Sequence, residues 1–343
     1  MKIRKVLVSG GAGYIGTHCC IELLEDGYEV VCADNFANSS SVALDRVEQI
    51  SGVKVSAVNM DFCDKDQVRT LFAQHEFDAA IHFAGHKAVG ESIEQPLMYY
   101  GNNLLSLINL CEVLRDNNCK NLVFSSSAAV YSTDNKPPYD EESLTSPCNP
   151  YGRTKLFIET ILRDLHISDP AWNISILRYF NPVGAHPSGL IGEDPNGTPN
   201  NLMPYIAQVA IGRLKKLSIF GDDYDTPDGT CIRDFIHVVD LAQGHLAALK
   251  KIEDSPGCMT HNIGSGKGHS VLELVKAFER VNKVDVPYTI APRRAGDMPV
   301  NYAATAKAEN ELNWKTKLGL DEMVRDTWNW QSKNPNGYQM DKR

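Results

Sequence analysis

The amino-acid sequence predicts an α/β protein with a doubly wound parallel sheet, followed by a smaller mixed α+β domain. Three observations support this fold class. Short apolar runs recur through the first 180 residues, stretches with helical spacing separate them, and a glycine-rich turn joins the first run to the first helix. Because the runs are almost continuously apolar, we expect strands that are covered on both faces by helices.

The predicted strands and helices alternate through this first half of the chain. The apolar runs place strands at 5–9, 29–34, 54–61, 78–85, 121–127 and 173–180. Apolar residues spaced near 3.6 place helices at 14–27, 64–76, 96–118 and 150–165. In a doubly wound sheet of this kind, ligands bind at the carboxyl ends of the strands.

The composition changes after residue 180. The segment "NPVGAHPSGLIGEDPNGTPNNLMP" (181–204) is rich in Pro, Gly and Asn. It is too long for an idle loop in a compact domain, so we expect it to bind a ligand. The sequence therefore predicts a first domain over 1–180 and a smaller, substrate-binding domain over 181–343, with helices near 202–214, 239–252 and 270–281.

Composition and charge exclude several classes of function. The chain of 343 residues has a net charge of −9, spread without long runs, which is not the electrostatic pattern of a nucleic-acid or membrane-surface protein. No apolar run reaches membrane-spanning length and glycines interrupt the first one, so we expect a cytoplasmic protein. Nine cysteines without metal-ligand spacing indicate reduced thiols, with neither a metal site nor a disulfide framework.

The glycine-rich turn predicts a dinucleotide site of the Rossmann type. It reads "VSGGAGYIG" (8–16), and its spaced glycines are Gly10, Gly13 and Gly16. Such glycines let the backbone turn tightly and approach a pyrophosphate at the start of a helix. Asp34 ends the second strand and can accept hydrogen bonds from the adenosine ribose, whereas it would repel a 2′-phosphate, and Asn35 adds no positive charge. We therefore predict NAD rather than NADP. Asp61 and Phe62 end the third strand, where they either meet the adenine or form an ordinary strand-end cap.

A tyrosine and a lysine in "NPYGRTK" (149–155) are candidate catalytic residues. Tyr151 precedes Lys155 by four positions, a spacing that also arises by chance in solvated helices. However, Ile158 and Leu162 continue the same helix stripe, so the face that carries the pair should pack inward. Ser127 ends the fifth strand next to the start of this helix, although a serine there is also ordinary strand-end composition.

These residue types suit the removal of a proton from an alcohol. A tyrosine titrates near 10, so its use as a base near pH 7 requires its pKa to fall by ~3, about 4 kcal/mol. A nearby lysine ammonium and a positive nicotinamide ring act in that direction. Ser127 would hydrogen-bond the substrate oxygen whose proton Tyr151 removes.

Several motifs together resemble the extended short-chain dehydrogenase/reductase superfamily, and within it the nucleotide-sugar 4-epimerases. They are "GGAGYIG", "FAGHKAVGES", "SSSAAVY", "YGRTK", "LRYFNPVGAHPSG" and "RDFIHVVDLA", and the resemblance covers essentially the whole chain. The tyrosine–lysine spacing is shared across the superfamily, whereas "LRYFNPVGAHPSG" followed by "PNNLMPYIAQVA" is similar to the epimerases specifically. The resemblance implies reversible interconversion of UDP-galactose and UDP-glucose through a 4-keto sugar, with NAD as cofactor and a homodimeric assembly.

The resemblance also implies the roles of individual residues. The implied catalytic residues are Ser127, Tyr151 and Lys155. The implied NAD-binding residues are Gly10, Gly13, Tyr14, Ile15, Gly16, Asp34, Asn35, Asp61, Phe62, Phe83, Ala84, Gly85, Lys87, Asn102, Tyr151, Lys155 and Tyr179. The implied UDP-sugar residues are Ser127, Tyr151, Asn181, Asn201, Leu202, Phe220, Arg233, Arg294, Asp297 and Asn301. The two arginines suit a diphosphate, although either alone could equally be a surface ion pair.

Asn301 bears on which sugars are accepted. In the family a bulky tyrosine at this position excludes an N-acetyl group, whereas a small residue admits it. Asn301 is smaller than tyrosine, so we expect N-acetylated UDP-sugars to be accepted as well. The alternative is that Asn301 points into a loop and its neighbour Tyr302 closes the pocket.

Local departures from the family pattern leave the implied chemistry intact. Ser132 stands where glycine is usual, and His86 stands where a neutral residue is common, but neither position carries a catalytic group. A nucleotide-sugar 4,6-dehydratase would carry an acidic pair after the strand-five serine, where this chain has Ala128 and Ala129. A regulatory protein with the same fold but no catalysis would normally lack the tyrosine or the lysine.

Overall fold

A computed structural model describes residues 2–294 and 297–339. The strands in these ranges are β1 (Lys5–Ser9), β2 (Glu29–Asp34), β3 (Ser56–Asn59), β4 (Ala79–His82), β5 (Asn121–Ser127), β6 (Asn173–Tyr179), β7 (Asn181–Val183), β8 (Leu217–Phe220), β9 (Ile232–His237), β10 (Cys258–Ile263), β11 (Gly268–Ser270), β12 (Tyr288–Ala291) and β13 (Val300–Asn301). The helices are α1 (Tyr14–Glu25), α2 (Ser41–Ser51), α3 (Lys65–Gln74), α4 (Val89–Glu94), α5 (Pro96–Asp116), α6 (Pro150–Ser168), α7 (Leu202–Ala210), α8 (Val238–Asp254), α9 (Val271–Asn282), α10 (Ala306–Leu312) and α11 (Leu320–Lys333).

The predicted doubly wound parallel sheet is confirmed. Seven strands pair in the order β10-β6-β5-β4-β1-β2-β3, and every pair is parallel. The strand order reverses direction between β1 and β4, which opens a crevice at their carboxyl ends. The six predicted strands are all present, although those predicted at 54–61 and 78–85 are shorter, at Ser56–Asn59 and Ala79–His82.

The sheet is covered on both faces, which explains its continuously apolar strands. In β1, Val6 and Val8 belong to the core on the α1 and α8 side, whereas Leu7 belongs to the core on the α3 and α5 side. All three side chains are fully buried. Because successive side chains of a strand point to opposite faces, neither face tolerates a polar residue there.

The large sheet takes one strand from the second half of the chain. β10 pairs with β6 over its whole length, from Cys258 beside Ile174 to Ile263 beside Tyr179, and α8 packs on α1. The two-domain division at residue 180 stays a prediction, but the sheet itself crosses that boundary. The sequence concealed this strand because "CMTHNI" carries His261 and Asn262, polar residues that the structure nevertheless buries.

The remaining residues form the mixed part predicted after the parallel sheet. β9 is its central strand, with β7 and β13 parallel to it and β11 antiparallel. A two-stranded parallel sheet, β8 and β12, lies beside it, and α7, α9 and α11 share a core of apolar side chains.

No helix in the described part of the chain is both long enough and apolar enough to cross a membrane.

Candidate active site

The glycine turn lies at the crevice between β1 and β4. Gly10 adopts a φ of 69°, and a Cβ atom there would lie 2.8 Å from the backbone nitrogen of Ala84, which follows β4. A Cβ on Gly16 would collide with the carbonyl oxygen of Gly10. The turn thus fits only glycine at both positions. Gly13 caps α1 without any side-chain hydrogen bond, so the first N–H groups of the helix have no side-chain acceptor and suit an anionic ligand.

Asp34 joins the end of β2 to the glycine turn. One carboxylate oxygen accepts from the backbone nitrogen of Ala12 at 3.1 Å, and the other accepts from Phe36 N at 2.9 Å and Ser39 Oγ at 2.8 Å. A carboxylate offers about four acceptor positions, so these three bonds leave capacity for a further donor. The side chain is therefore held rigidly beside the glycine turn, with room to accept from one more donor.

The other predicted cofactor residues line the same edge, with one difference. Phe62 is only 3% exposed, and its ring packs edge-on against His82 with centroids 6.0 Å apart. Its ring belongs to the core, so only its backbone can face a ligand. Asp61 accepts from Cys63 N at 2.8 Å, which is the strand-end turn that the sequence also allowed. Tyr14 and Ile15 begin α1, and Asn35 follows β2. After β4 come Phe83, Gly85 and Lys87, whereas Asn102 lies on α5.

Asn103 is a positioning residue that the sequence did not reveal. Its amide accepts from His86 N at 2.8 Å and donates to His86 O at 3.0 Å and Thr154 Oγ1 at 3.1 Å. It therefore ties the turn after β4 to α6 through a side chain that is 2% exposed. The sequence could have indicated this role, because "GNN" places polar residues inside the otherwise apolar helix α5, where a buried one needs hydrogen-bond partners.

The three predicted catalytic residues are brought together by tight packing at the start of α6. Asn149 caps the helix by accepting from Gly152 N at 2.8 Å, and Pro150 occupies its first turn. A Cβ on Gly152 would collide with the carbonyl oxygen of Ala129, which lies in the short turn directly after Ser127. This close approach brings the start of α6, and with it Tyr151, next to the turn that follows Ser127.

Burial governs the protonation of Tyr151. Desolvation raises the pKa of Tyr151 above its ordinary value, and the Ser127 hydroxyl acts more weakly in the opposite direction. The lysine does not contact the tyrosine hydroxyl: Lys155 Nζ donates to Ser125 O at 2.7 Å and lies 5.9 Å from the centre of the Tyr151 ring. The chain by itself therefore holds Tyr151 as a neutral phenol, and the lowering that a base requires has to come from bound ligands.

Lys155 is itself perturbed. Its side chain is 6% exposed, and burial lowers its pKa to about 8, while Glu159 one helical turn later acts to raise it. Its Nζ also lies 4.9 Å from the centre of the Phe124 ring. A lysine held this way can donate at the cofactor edge and changes charge near neutral pH.

A buried ion pair stands behind the catalytic helix. Glu159 is fully buried and accepts from Arg178 Nη2 at 2.7 Å, from Ser126 Oγ at 2.6 Å and from Arg163 Nη2 at 2.9 Å. The pair fixes α6 against β5 and β6, the strands that end in Ser127 and Tyr179. Tyr179 in turn is paired with Ser127 in the sheet register, and its hydroxyl lies 2.5 Å from Ser125 Oγ.

Several of the predicted sugar-nucleotide residues form two groups, one on and beside β9 and the other at the end of β8. Arg233 Nη1 donates to Met298 O at 2.7 Å, its Nη2 lies 3.5 Å from Asp297, and Asn301 is its register partner on β13. In the second group the guanidinium of Arg294 lies 3.9 Å from the centre of the Phe220 ring, at the end of β8.

The remaining sugar-nucleotide residues follow the large sheet. Asn181 donates to Asp234 O at 3.1 Å, and Asn201 caps the start of α7, where Leu202 is the first residue. The Oδ1 atom of Asn301 is buried by the protein without a hydrogen-bond partner, which fits the alternative that Asn301 points into a loop.

Taken with the parallel sheet, the glycine turn and the acidic residue at the end of β2 define a dinucleotide-dependent enzyme of the short-chain dehydrogenase/reductase class. The chain belongs to the NAD-dependent epimerase/dehydratase family, whose model matches residues 6–264. This membership confirms the family and the NAD dependence predicted from the motifs.

Individual relatives match nearly the whole chain. A UDP-glucose 4-epimerase of Bacillus subtilis is 56% identical over 97% of this chain and 98% of its own length. The crystal structure of UDP-glucose 4-epimerase from Bifidobacterium longum in complex with NAD+ and UDP is 54% identical, with a TM-score of 0.94 over 97% of this chain and 99% of that one. A Stenotrophomonas maltophila UDP-glucose 4-epimerase, solved with bound NAD and formylated UDP-arabinopyranose, is 47% identical with a TM-score of 0.95 over the same shares.

Proposed function

We propose that the protein interconverts UDP-galactose and UDP-glucose by inverting the sugar at C4, with NAD as its resident cofactor. The observation that carries this proposal is Tyr151, a buried phenol whose pKa the Ser127 hydroxyl affects, at the carboxyl edge of the large sheet. The chain leaves this sheet through β7, which pairs with β9, the strand that carries Arg233. Relatives that are 54% and 56% identical over nearly the whole chain are named as this enzyme.

The residues around the crevice fit a dinucleotide. The glycine turn leaves a cradle that any Cβ atom would fill, and the uncapped start of α1 suits a pyrophosphate. In this proposal Asp34, which also accepts from Ala12 N, binds the adenosine ribose. Lys155, which also donates to Ser125 O, donates to the ribose of the nicotinamide. When bound, NAD supplies the acceptor for the hydride of the sugar C4 carbon and later returns it.

Tyr151 acts as the proton acceptor and donor. In the first half of the reaction it takes the proton of the C4 hydroxyl, and in the second half it returns a proton to the new hydroxyl. Ser127 hydrogen-bonds the same oxygen and so orients it. Because burial raises the pKa of Tyr151, the phenol is ready to donate, and the nearby positive charges of the complex must lower that pKa for the first half.

The substrate region has to hold the UDP while the sugar turns. Arg233 and Arg294 are candidates for the diphosphate, since guanidinium groups bind phosphate through paired hydrogen bonds. Asn181, Asn201, Leu202, Phe220 and Asp297 would complete the nucleotide contacts. The 4-keto sugar then rotates, so that C4 presents its opposite face to the cofactor.

The residues that follow Ser127 do not include the acid and base that the competing dehydratase reaction requires. Elimination of water requires an acid and a base next to the sugar, and the residues after Ser127 are Ala128 and Ala129. Reversible oxidation and reduction at C4 is the chemistry that Ser127, Tyr151 and Lys155 support.

Asn301 supports a second substrate class, the N-acetylated UDP-sugars. Asn301 is the register partner of Arg233 in the sheet, whereas the Tyr302 side chain approaches Gly268 on β11. The amide is smaller than a tyrosine ring, which leaves room for an acetyl group at C2 of the sugar.

We also propose a homodimer that works in the cytoplasm. Neighbouring helices α5 and α6 carry exposed apolar side chains, with Leu97 84%, Leu105 45% and Phe157 46% exposed. Packing this helix pair on its copy would bury them. The nine cysteines are free thiols, which suits a reducing compartment. Light scattering tests the assembly: the wild type should have the mass of two chains, and Leu105→Glu should shift it toward one.

The decisive experiment uses the purified protein without added cofactor. UDP-galactose should convert to UDP-glucose, and acid denaturation of the protein should release NAD. Bound NAD without turnover of any UDP-sugar would contradict the proposed activity and favour a regulatory protein instead.

A further inference from the structure

Glu193 lies in the Pro- and Gly-rich segment between β7 and α7, and its side chain is 9% exposed. A single oxygen of its carboxylate, Oε1, meets two donors: Asn201 Nδ2 at 2.7 Å and Lys87 Nζ at 3.3 Å. No motif in the sequence singles this glutamate out, and the mechanism described above does not use it.

The two donors belong to different candidate sites. Lys87 follows β4 on the cofactor side of the crevice and is half-exposed. Asn201 caps α7 on the nucleotide-sugar side. Glu193 therefore occupies the seam between the two sites and contacts one residue of each.

The backbone that carries Glu193 is fixed by the end of the chain. Trp330 Nε1 donates to Glu193 O at 3.3 Å, and the Tyr338 hydroxyl lies 3.2 Å from both the nitrogen and the oxygen of Gly192. A Cβ on Gly192 would collide with the Trp330 ring. The backbone at Glu193 is thus held in place by the fold, whereas its carboxylate is held only by Asn201 and Lys87.

We infer that Glu193 is a positioning residue that couples the dinucleotide site to the nucleotide-sugar site, an inference that rests on the proposed function. A lysine side chain is long and flexible, and its pairing with this carboxylate restricts it before the cofactor arrives. Asn201 is oriented by the same oxygen. A ligand that orders one of these donors fixes the carboxylate for the other, so each ligand strengthens the binding of its neighbour.

The test measures how UDP affects the retention of NAD in the full-length holoenzyme. Bound NAD is exchanged against labelled NAD, with and without saturating UDP. In the wild type we expect UDP to slow the exchange by at least about fivefold, the lower end of ordinary coupling between sites. In Glu193→Gln, which keeps the volume and an acceptor oxygen but loses the charge, the ratio should fall below about twofold.

Two further variants make the result specific. Glu76→Gln removes an exposed glutamate remote from the crevice and should keep the wild-type ratio. Lys87→Gln breaks the bridge from its other end, so the ratio should fall as in Glu193→Gln even if that variant folds poorly. In steady-state kinetics, Glu193→Gln should raise KM for UDP-galactose more than it lowers kcat, because the residue binds no reacting atom.

The outcomes separate the inference from the proposed function. A wild type that epimerises UDP-galactose but shows no effect of UDP on NAD exchange overturns the coupling alone. An unchanged ratio in both Glu193→Gln and Lys87→Gln overturns it as well. A wild type without epimerisation contradicts the proposed function, and the exchange ratio would still report whether the two sites communicate.

Discussion

Replacing Tyr151 by phenylalanine removes the proposed base and keeps the ring. The side chain is 8% exposed, so the phenylalanine fills the same space and the fold should lose little. Proton transfer by a positioned side chain contributes 10²–10⁴-fold, about 3 to 5 kcal/mol of barrier. We therefore expect kcat for UDP-galactose to fall at least about 10²-fold, with the NAD content unchanged.

The protonation of Tyr151 gives the same prediction a pH signature. Burial raises its pKa above the ordinary value of 10.0, so forming the phenolate at pH 7 from the free chain requires more than about 4 kcal/mol. Bound ligands offset part of this. The wild-type rate should accordingly rise with pH up to the pKa of Tyr151 in the complex, and the residual rate of Tyr151→Phe should lack that dependence.

Tyr179 provides a matched control. It is a second tyrosine at the same edge, and burial raises its pKa also, but its hydroxyl is already engaged with Ser125 Oγ at 2.5 Å. Loss of that neutral hydrogen bond should reduce kcat by no more than about tenfold in Tyr179→Phe. Turnover is followed by NMR of the sugar protons, with NAD quantified after acid release. The assignment fails if Tyr151→Phe keeps over a tenth of the activity, or if both variants lose equally.

Three further predictions concern stability and specificity. Burial lowers the pKa of Lys155 from 10.5 to about 8, so between these pH values only the unfolded chain keeps the proton. In urea unfolding, the free energy of unfolding of the wild type relative to Lys155→Met should therefore rise by about 3 kcal/mol from pH 7 to pH 10.5. A difference that does not change with pH would contradict this cost of burying the charged lysine. Burial acts to raise the pKa of Glu159, but the hydrogen bonds from Arg178 prevail and lower it. Glu159→Gln should therefore lower the free energy of unfolding by about 3 kcal/mol or more at pH 7. This loss should shrink as the pH falls below 4.5 through the pKa of Glu159 in the folded protein. The wild type should epimerise UDP-N-acetylgalactosamine as well as UDP-galactose, and Asn301→Tyr should lose at least about tenfold on the former only; a wild type inactive on the N-acetylated sugar means that the pocket is closed.

The parts of the fold that the sequence predicted are those with one strong local signal. β1, β2 and β5 begin and end where their apolar runs do, because both faces of these strands are buried and each residue reports the same environment. β10 was missed because His261 and Asn262 break its apolar pattern, although both side chains are fully buried. α2 was missed as well, although Ser40 caps it by accepting from Val42 N, because its apolar face is short and its mean hydropathy low.

The candidate site divides in the same way. Tyr151 and Lys155 share a helix, so their spacing alone places them on one face, and the sheet then brings Ser127 to them. The roles of Glu159 and Glu193 depend on ion-pair partners that are distant in the chain, such as Arg178 and Lys87. No spacing in the sequence predicts which residue a single glutamate will pair with. The core position of the Phe62 ring was likewise invisible, since an aromatic residue after a strand suits a ligand and a core equally.

β10 lies about 80 residues after β6 in the sequence, which affects folding during synthesis. β6 ends at Tyr179, but the strand that covers its outer edge is complete only at Ile263. At a synthesis rate of about 5–20 residues per second, that edge stays open for roughly 4 to 17 s on the ribosome. An apolar strand such as "NISILRY" with an unpaired edge is a template for pairing with other chains. Nascent chains that stall or are truncated between these points should therefore be the ones that aggregate, whereas chains released after residue 263 have β10 paired on that edge of β6.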